Sequence, residues 1–260
     1  MKPVARHIIT GFCAALLLAG MTASVLAGHS ARKPLLCNGL KVIVTDSLEN
    51  DFVSKNDIKA YIDREYGKYQ GAVLDSIDLT KIEDIISRRS AVRNCEAYVT
   101  RDGLLNIKVT QRKPVLRFQT SSGGFYADDE GCVFPLQRSY ASHVQVIDGN
   151  IPLKANTGHK GAITDPQQKK WFDSVLALVL YIEGSREWKD NIVQIHVDKE
   201  GNLVLIPRDG QEKFIFGQPE GFEEKFGKMK RYYTAIIPEK GAAHYRKIDL
   251  RYKDQIICSK

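Results

Sequence analysis

The stretch NCEAYVTRDGLLNIKVTQRKP, residues 94–114, consists of two alternating runs on either side of Asp102-Gly103. In both runs the apolar side chains share one face of a strand: Cys95, Ala97 and Val99, then Leu105, Ile107 and Val109. An Asp-Gly pair favours a tight hairpin turn, because glycine adopts a positive φ without a clash at Cβ. The stretch therefore predicts a β-hairpin, which Pro114 closes because proline cannot donate a hydrogen bond to a strand ladder.

The residues before the hairpin predict one more strand and two amphipathic helices. Residues 40–45 are rich in β-branched side chains, as is typical of a strand. Ser54 with Asp57 resembles a capping box, and Thr80 with Glu83 resembles a second one. Near each box the apolar residues follow a helical stripe: Ile58, Tyr61, Ile62 and Tyr66, then Leu79, Ile82, Ile85 and Ile86. Residues 35–113 are therefore expected to form a domain of β-α-α-β-β order.

The chain after the hairpin predicts a second domain, residues 114–260, with a mainly antiparallel sheet and helices. Its strands are expected at residues 116–120, 124–128, 132–134, 192–197, 203–206, 213–216 and 246–258. Asp165-Pro166 indicates the start of a long helix, with an acidic cap followed by proline at the first helical position. A later helix has an apolar stripe of Phe222, Phe226, Met229 and Tyr233, opposite a basic face of Lys225, Lys228 and Arg231 that we expect to be solvated. Together the two domains predict an α+β fold.

An apolar segment of 20 residues, Ile8 to Ala27, precedes both domains and carries no charge. This is about the length that a helix needs to cross the hydrocarbon core of a bilayer. The sequence thus predicts a single transmembrane helix at residues 8–27 after a cytoplasmic tail of residues 1–7. The small residues of Val25-Leu26-Ala27 also fit a signal-peptidase site, so removal as a signal peptide is the alternative. Both alternatives export the remainder of the chain.

The basic character of the chain is concentrated around this segment. The formal net charge is +7, yet residues 1–33 carry four basic residues and no acidic one, which leaves 34 basic against 31 acidic residues in the remainder. A small excess spread over that length does not form the basic patch that nucleic acid requires. Nucleic-acid binding is therefore excluded from the expected functions.

No residue pattern indicates catalysis, a metal or a cofactor. The chain lacks HExxH, GxSxG and phosphate-loop motifs, and we expect it not to be an enzyme and to bind no small-molecule substrate. Asp128, Asp129 and Glu130 fall where a turn needs polar residues. Cys13 lies in the apolar segment, and the exported cysteines, which have no metal-ligand spacing, are either free thiols or contain one disulfide: Cys37, Cys95, Cys132 and Cys258.

The order of several short motifs resembles the FtsQ/DivIB family of bacterial cell-division proteins over nearly the whole chain. The motifs are Phe52-Val53-Ser54 before Asp57-Ile58, Gln111-Arg112-Lys113-Pro114, Phe125-Tyr126-Ala127-Asp128 with Gly131, and Ile248-Asp249-Leu250-Arg251-Tyr252. The first domain then resembles a POTRA domain. A cytoplasmic tail of only seven residues departs from the family and leaves little room for recruitment through that tail.

The resemblance implies a non-enzymatic scaffold of the divisome. By that resemblance the chain is a single-pass protein of the inner membrane with its bulk in the periplasm at the septum, where the POTRA unit supports recruitment. It would bind single-pass division proteins of the FtsB and FtsL type, by strand addition at the C-terminal edge. Arg251 and Tyr252 carry over as partner-binding residues, with Asp254 beside them. Tyr252 shares its alternation with Ile248 and Leu250, so a place in the core is the alternative for it.

Two other functions compete with the scaffold. A POTRA-containing component of protein export or outer-membrane assembly would use the same first domain. The chain after Pro114 is too short and too helical for the membrane barrel that such a component feeds. An exported enzyme with a site assembled from distant residues is the remaining alternative.

Overall fold

The computed structural model describes residues 15–22, 34–46, 51–121, 123–137, 140–154 and 158–260. The first of two sheets has the order β1-β3-β2, with β1 (Gly39–Val44) parallel and β2 (Val92–Val99) antiparallel to β3 (Leu104–Gln111). Two helices, α1 (Lys55–Glu65) and α2 (Leu79–Ser87), connect β1 to β2 and pack on the sheet. The predicted β-α-α-β-β order and its hairpin are thus present.

The two helices of this domain begin at different caps. Ser54 Oγ accepts a hydrogen bond from Asp57 N at 3.1 Å and Asp57 Oδ2 accepts one from Ser54 N at 3.2 Å, so the predicted box is formed. The second box is wrong, because α2 is capped by Asp78 and Thr80 already lies inside the helix. Glu83 instead accepts a hydrogen bond at 2.7 Å from a backbone N–H of β2.

The hairpin turn depends on Gly103 for two reasons. Its φ is +85°, and a Cβ at this position would lie 2.8 Å from the carbonyl oxygen of Leu36. The positive φ is required by the hairpin turn, and the lack of a Cβ leaves room for the chain that leads into β1. Gly103 therefore sets both the hairpin and the close approach of the preceding residues.

The second sheet contains nine strands in the order β12-β11-β10-β9-β8-β7-β4-β5-β6. The strands are β4 (Pro114–Thr120), β5 (Gly123–Asp128), β6 (Val133–Pro135), β7 (Gln145–Gly149), β8 (Ile192–Val197), β9 (Leu203–Pro207), β10 (Lys213–Gly217), β11 (Lys247–Asp249) and β12 (Ile257–Ser259). The helices are α3 (Pro166–Gly184), α4 (Phe222–Arg231) and α5 (Ile237–Lys240), and a π-helical turn at Tyr232–Ile236 joins the last two.

This sheet is mixed, whereas the sequence predicts a mainly antiparallel one. β7 is parallel to both β4 and β8, and β10 is parallel to β11, while the other pairs are antiparallel. The sequence does not predict β7, because only five residues form this strand and they include Asp148 and Gly149. Crossover through α3 is what makes the parallel pairing of β7 and β8 possible.

The helices α3 and α4 cover one face of the second sheet. Their buried side chains pack against buried strand residues such as Phe118, Ile195 and Phe214 in one continuous core. Lys228 is an exception to the prediction for α4, because it is buried rather than part of a solvated basic face. The opposite face of the sheet carries residues of intermediate exposure, including Val204 and Ile215.

The two sheets are joined by a packed contact at the β5–β6 end. The ring of Phe52 lies 5.7 Å from that of Tyr126 and 6.2 Å from that of Phe134, measured between centroids. Arg112 Nη1 lies 2.7 Å from Asp128 Oδ2, and both side chains are largely buried. The core of the first domain thus continues into one edge of the second sheet.

The final strand is shorter than the sequence predicts. The alternation over residues 246–258 indicates one strand, but the chain forms β11, leaves the sheet at Leu250, and returns as β12. Leu250 is buried while the following residues up to Gln255 are exposed, and Asp254 has a φ of 56°. The alternation of apolar and polar residues continues into the loop after β11, so the sequence does not indicate where strand pairing ends.

The N-terminal prediction falls mostly outside the described residues. Residues 15–22 are helical. In the part of the chain that the structure describes, no helix combines the length and the apolar character needed to cross a bilayer. The tail of residues 1–7, Cys13 and the other residues of the predicted segment 8–27 lie outside that part, so the transmembrane helix stays a prediction.

Candidate partner-binding edge

The second sheet ends at β12, the last strand of the chain. β12 pairs antiparallel with β11, with Ile248 opposite Cys258. Within the described ranges, no strand pairs with the outer side of β12. Such an edge presents backbone N–H and C=O groups to which another strand can bind. β12 therefore meets the geometric requirement for strand addition.

The loop between β11 and β12 carries Arg251, whose side chain contacts β10 and β11. Arg251 Nε lies 3.0 Å from Asp249 Oδ1 and Nη2 lies 2.7 Å from Oδ2, so the guanidinium binds the carboxylate with two hydrogen bonds. Burial opposes the ionisation of Asp249, but the hydrogen bonds from Arg251 outweigh it and hold the pKa of Asp249 below its usual value. A bidentate pair of this kind fixes the plane of the guanidinium.

The stem of Arg251 lies over a glycine of β10. A Cβ at Gly217 would come within 2.8 Å of Arg251 Cγ and 3.1 Å of Cδ, and the φ of Gly217 is +77°. Only glycine combines this backbone conformation with this clearance. Gly217 thus allows the Arg251 side chain to lie flat across the end of the sheet.

Lys228 of α4 binds the backbone of the loop between β11 and β12. Its Nζ donates hydrogen bonds to the carbonyl oxygens of Leu250 at 3.2 Å and Tyr252 at 2.6 Å, and lies 2.7 Å from Glu224 Oε1. Lys228 is only 6% exposed. The hydrogen bond from Lys228 lowers the pKa of Glu224, so that carboxylate remains ionised beside the amine. One buried cation therefore binds the backbone on both sides of Arg251.

Two large apolar side chains are exposed in this part of the chain, one in the loop and one on β12. Tyr252 is 49% exposed and Ile257 is 46% exposed. The Arg251 guanidinium carbon lies 6.0 Å from the centroid of the Tyr252 ring. Asp254 is exposed in the turn between them. An exposed aromatic ring and an aliphatic side chain beside an open strand edge are features of a protein-binding surface.

The structure brings the three predicted residues Arg251, Tyr252 and Asp254 into one exposed loop, although not on a strand. Tyr252 is not in the core, because the chain leaves the sheet before it and the alternation no longer decides its face. The sequence did not predict a role for Lys228 or Ile257 at this site. Ile257 could have been identified as a candidate from its place on the terminal strand. Lys228 could not, because nothing in the local sequence distinguishes it from the other basic residues of α4.

Other chemical possibilities have less support. Among the described residues, no group of three or more His, Cys, Asp or Glu side chains is placed to hold a metal ion. Asp128 accepts hydrogen bonds from the backbone N–H groups of Glu130 and Cys132, so it closes a turn as its sequence position predicts. Cys37, Cys95, Cys132 and Cys258 are free thiols, and burial raises the pKa of Cys95 to about 12.

Comparison with known families agrees with this architecture. The family described as FtsQ/DivIB, C-terminal related, matches residues 113–259, which is more than half of the chain. A POTRA-like domain matches residues 35–110. The comparison with curated proteins gives no match. On the extent of the first match, the chain belongs to the FtsQ/DivIB C-terminal related family and carries a POTRA-like domain before the family domain.

Proposed function

We propose that this protein is a non-enzymatic scaffold of the divisome that binds single-pass division proteins of the FtsB and FtsL type by strand addition at β12. The family supports the general role, because FtsQ/DivIB proteins are non-catalytic scaffolds of cell division. The same family suggests a septal membrane protein. We infer that the chain is anchored in the inner membrane by residues 8–27, with the described domains in the periplasm.

The observation that carries the proposal is the open edge of β12, which carries exposed Ile257 and follows a loop with exposed Tyr252. Backbone hydrogen bonds along β12 would supply register, and the Arg251 side chain would bind carboxylates of the partner. A transport component remains the alternative to a scaffold. The family match over residues 113–259 favours the scaffold, because it covers the domain that carries this edge.

The test measures capture of an FtsB-type protein by the full chain in detergent. Arg251→Glu should weaken binding at least tenfold, since a carboxylate would then face the partner's acidic groups. Tyr252→Ala should weaken it by a similar factor, because exposed aromatic residues at interfaces are frequent hot spots. Both variants should retain the thermal melting of the parent protein.

Arg186→Glu is the matched control, because it reverses the charge of an exposed arginine at the end of α3. Unchanged capture by the Arg251→Glu and Tyr252→Ala variants would refute binding at this edge. Equal weakening by Arg186→Glu would show that overall charge, rather than the edge, determines capture.

A further inference from the structure

A second group of exposed apolar side chains lies where the chain enters the POTRA-like domain. In the described part of residues 34–260 the exposed large apolar side chains are Leu35, Leu36, Val73, Tyr98, Leu180, Tyr181, Tyr252 and Ile257. Tyr252 and Ile257 belong to the partner-binding edge. Leu35, Leu36 and Val73 form a separate group that the proposed function does not use.

These three side chains belong to one ordered patch, which we call the entry patch. Leu36 and Val73 form an antiparallel bridge, and Leu74 N donates a hydrogen bond to Leu35 O at 2.8 Å. Next to this bridge, Cys37 N donates to Ala72 O at 2.8 Å. The backbone of the entry patch is therefore fixed, yet the side chains of Leu35, Leu36 and Val73 remain 46%, 48% and 37% exposed.

The position of the entry patch along the chain identifies what can cover it. Only seven residues separate Ala27, the end of the predicted membrane segment, from Leu35. A fully extended chain of that length spans at most about 28 Å, and a headgroup layer is roughly 5–7 Å thick. An anchored chain therefore keeps the entry patch within about 20 Å of the headgroup layer, so that the patch can reach the lipid surface.

Charge at this end of the domain is compatible with a lipid surface. Lys41, Lys68 and Arg101 are exposed near the start of β1 and the hairpin turn, together with the carboxylates of Asp75 and Asp102. These three basic and two acidic side chains carry no net negative charge, so they do not repel anionic headgroups. Apolar side chains flanked by polar groups suit the boundary between headgroups and acyl chains.

We propose that the entry patch of Leu35, Leu36 and Val73 docks into the surface of the lipid bilayer and holds the POTRA-like domain against the membrane. The inference rests on the anchoring in the proposed function. It adds a protein–lipid contact that neither anchoring nor partner binding at β12 requires. Docking would limit the rotation of the domain about the residues that join it to the membrane segment.

The test uses the full chain reconstituted in liposomes whose lipids carry bromine on the acyl chains, which quenches nearby tryptophan. Val73→Trp should add a fluorescence component that is quenched at least twofold, above the background from Trp171 and Trp188. Leu180→Trp is the matched control, because Leu180 is 38% exposed on α3, and its added component should not be quenched. Thermal melting checks that both variants fold.

Replacing Leu35 and Leu36 by Asn in the Val73→Trp background should return the quenching to background if the patch itself makes the contact. Carbonate extraction of the same liposomes tests anchoring separately. A chain that resists extraction but shows equal quenching at positions 73 and 180 would overturn docking alone. A chain that carbonate removes would overturn both the anchoring and the docking.

Discussion

The two edges of the nine-stranded sheet lie in opposite surroundings. At β6, Phe134 is fully buried against the POTRA-like domain, and Val133 exchanges two backbone hydrogen bonds of 2.9 Å with Gly161. At β12, Ile257 is half exposed and no further strand of the described chain follows. One edge is therefore covered, by the POTRA-like domain at Phe134 and by the chain of its own domain at Gly161. The other is left with the features of a binding surface.

An Arg–Asp pair also lies near each edge, and the two pairs differ in burial and in the number of hydrogen bonds between the side chains. Arg112 lies 2.7 Å from Asp128 beside β5, and Arg251 lies 2.7 Å from Asp249 on β11. The first pair is buried between the domains, whereas the guanidinium of the second is exposed to solvent. Equal distances do not imply equal contributions, because solvent screens the second pair.

The largest difference should appear on removal of an apolar side chain from each edge. Phe134→Ala should lower the free energy of unfolding by about 3–5 kcal/mol, because it leaves a cavity among packed aromatic rings. Ile257→Ala should cost less than about 1 kcal/mol, since its side chain is largely in solvent. Chemical denaturation of the two variants measures both values, and similar losses would contradict the contrast between the edges.

The two ion pairs provide the next comparison. Arg112→Met should lower the free energy of unfolding by about 3 kcal/mol, because the carboxylate of Asp128 is left buried without its cation. Arg251→Met should lower it by about 1 kcal/mol or less, because solvent reaches the Arg251 guanidinium and Asp249 also accepts a backbone N–H of residue 251. The same denaturation curves apply here, with Asp128→Asn in the Arg112→Met background as the control that should recover part of the loss.

The loop between β11 and β12 should become more mobile when Lys228 is replaced. Lys228→Met deprives the carbonyl oxygens of Leu250 and Tyr252 of their buried donor, which should cost about 1–3 kcal/mol. Hydrogen exchange at residues 250–256 should accelerate while β4 and β5 are unchanged. Lys230→Met, on the same helix, removes only an exposed pair with Glu187 and should leave that exchange as it is. Uniform acceleration across the sheet would instead indicate global destabilisation.

The smallest effect concerns pH. The pKa of Asp249 is lowered from 3.8, so its pair with Arg251 contributes stability above that value and loses it as pH falls through the lower folded pKa. The Arg251 Nε–H resonance should therefore stay unchanged between pH 7 and 5. It should shift only below about pH 3.8. A shift already between pH 6 and 5 would show that the carboxylate is not held in its ionised form by Arg251.

Local signals in the sequence predicted the POTRA-like domain well. The hairpin follows from alternation around Asp102-Gly103, and α1 follows from the Ser54–Asp57 cap. Both features depend on residues that are neighbours in the chain. The cap of α2 was misassigned by two residues, because Asp78 and Thr80 are both acceptable caps and only packing selects between them.

The second sheet was harder to predict because its pairings join distant residues. β7 is five residues long and its parallel neighbours lie far away in sequence. The break after Leu250 has no turn signal of the Gly or Pro type. Lys228 appears solvated by helical spacing, and its burial becomes visible only when the loop carbonyl groups are placed above it. The sequence motif thus identified the candidate residues of the loop, whereas only the structure identified Lys228 as the residue that supports them.

Gly217 gives indirect control of the loop at the β12 edge. Because the Arg251 stem crosses directly above it, Gly217→Ala would push that side chain away from its carboxylate, although Gly217 itself is not one of the proposed contact residues. Selection for loss of division in a random library should then return this position together with the exposed ones. A glycine inside the sheet would thereby behave genetically like a contact residue.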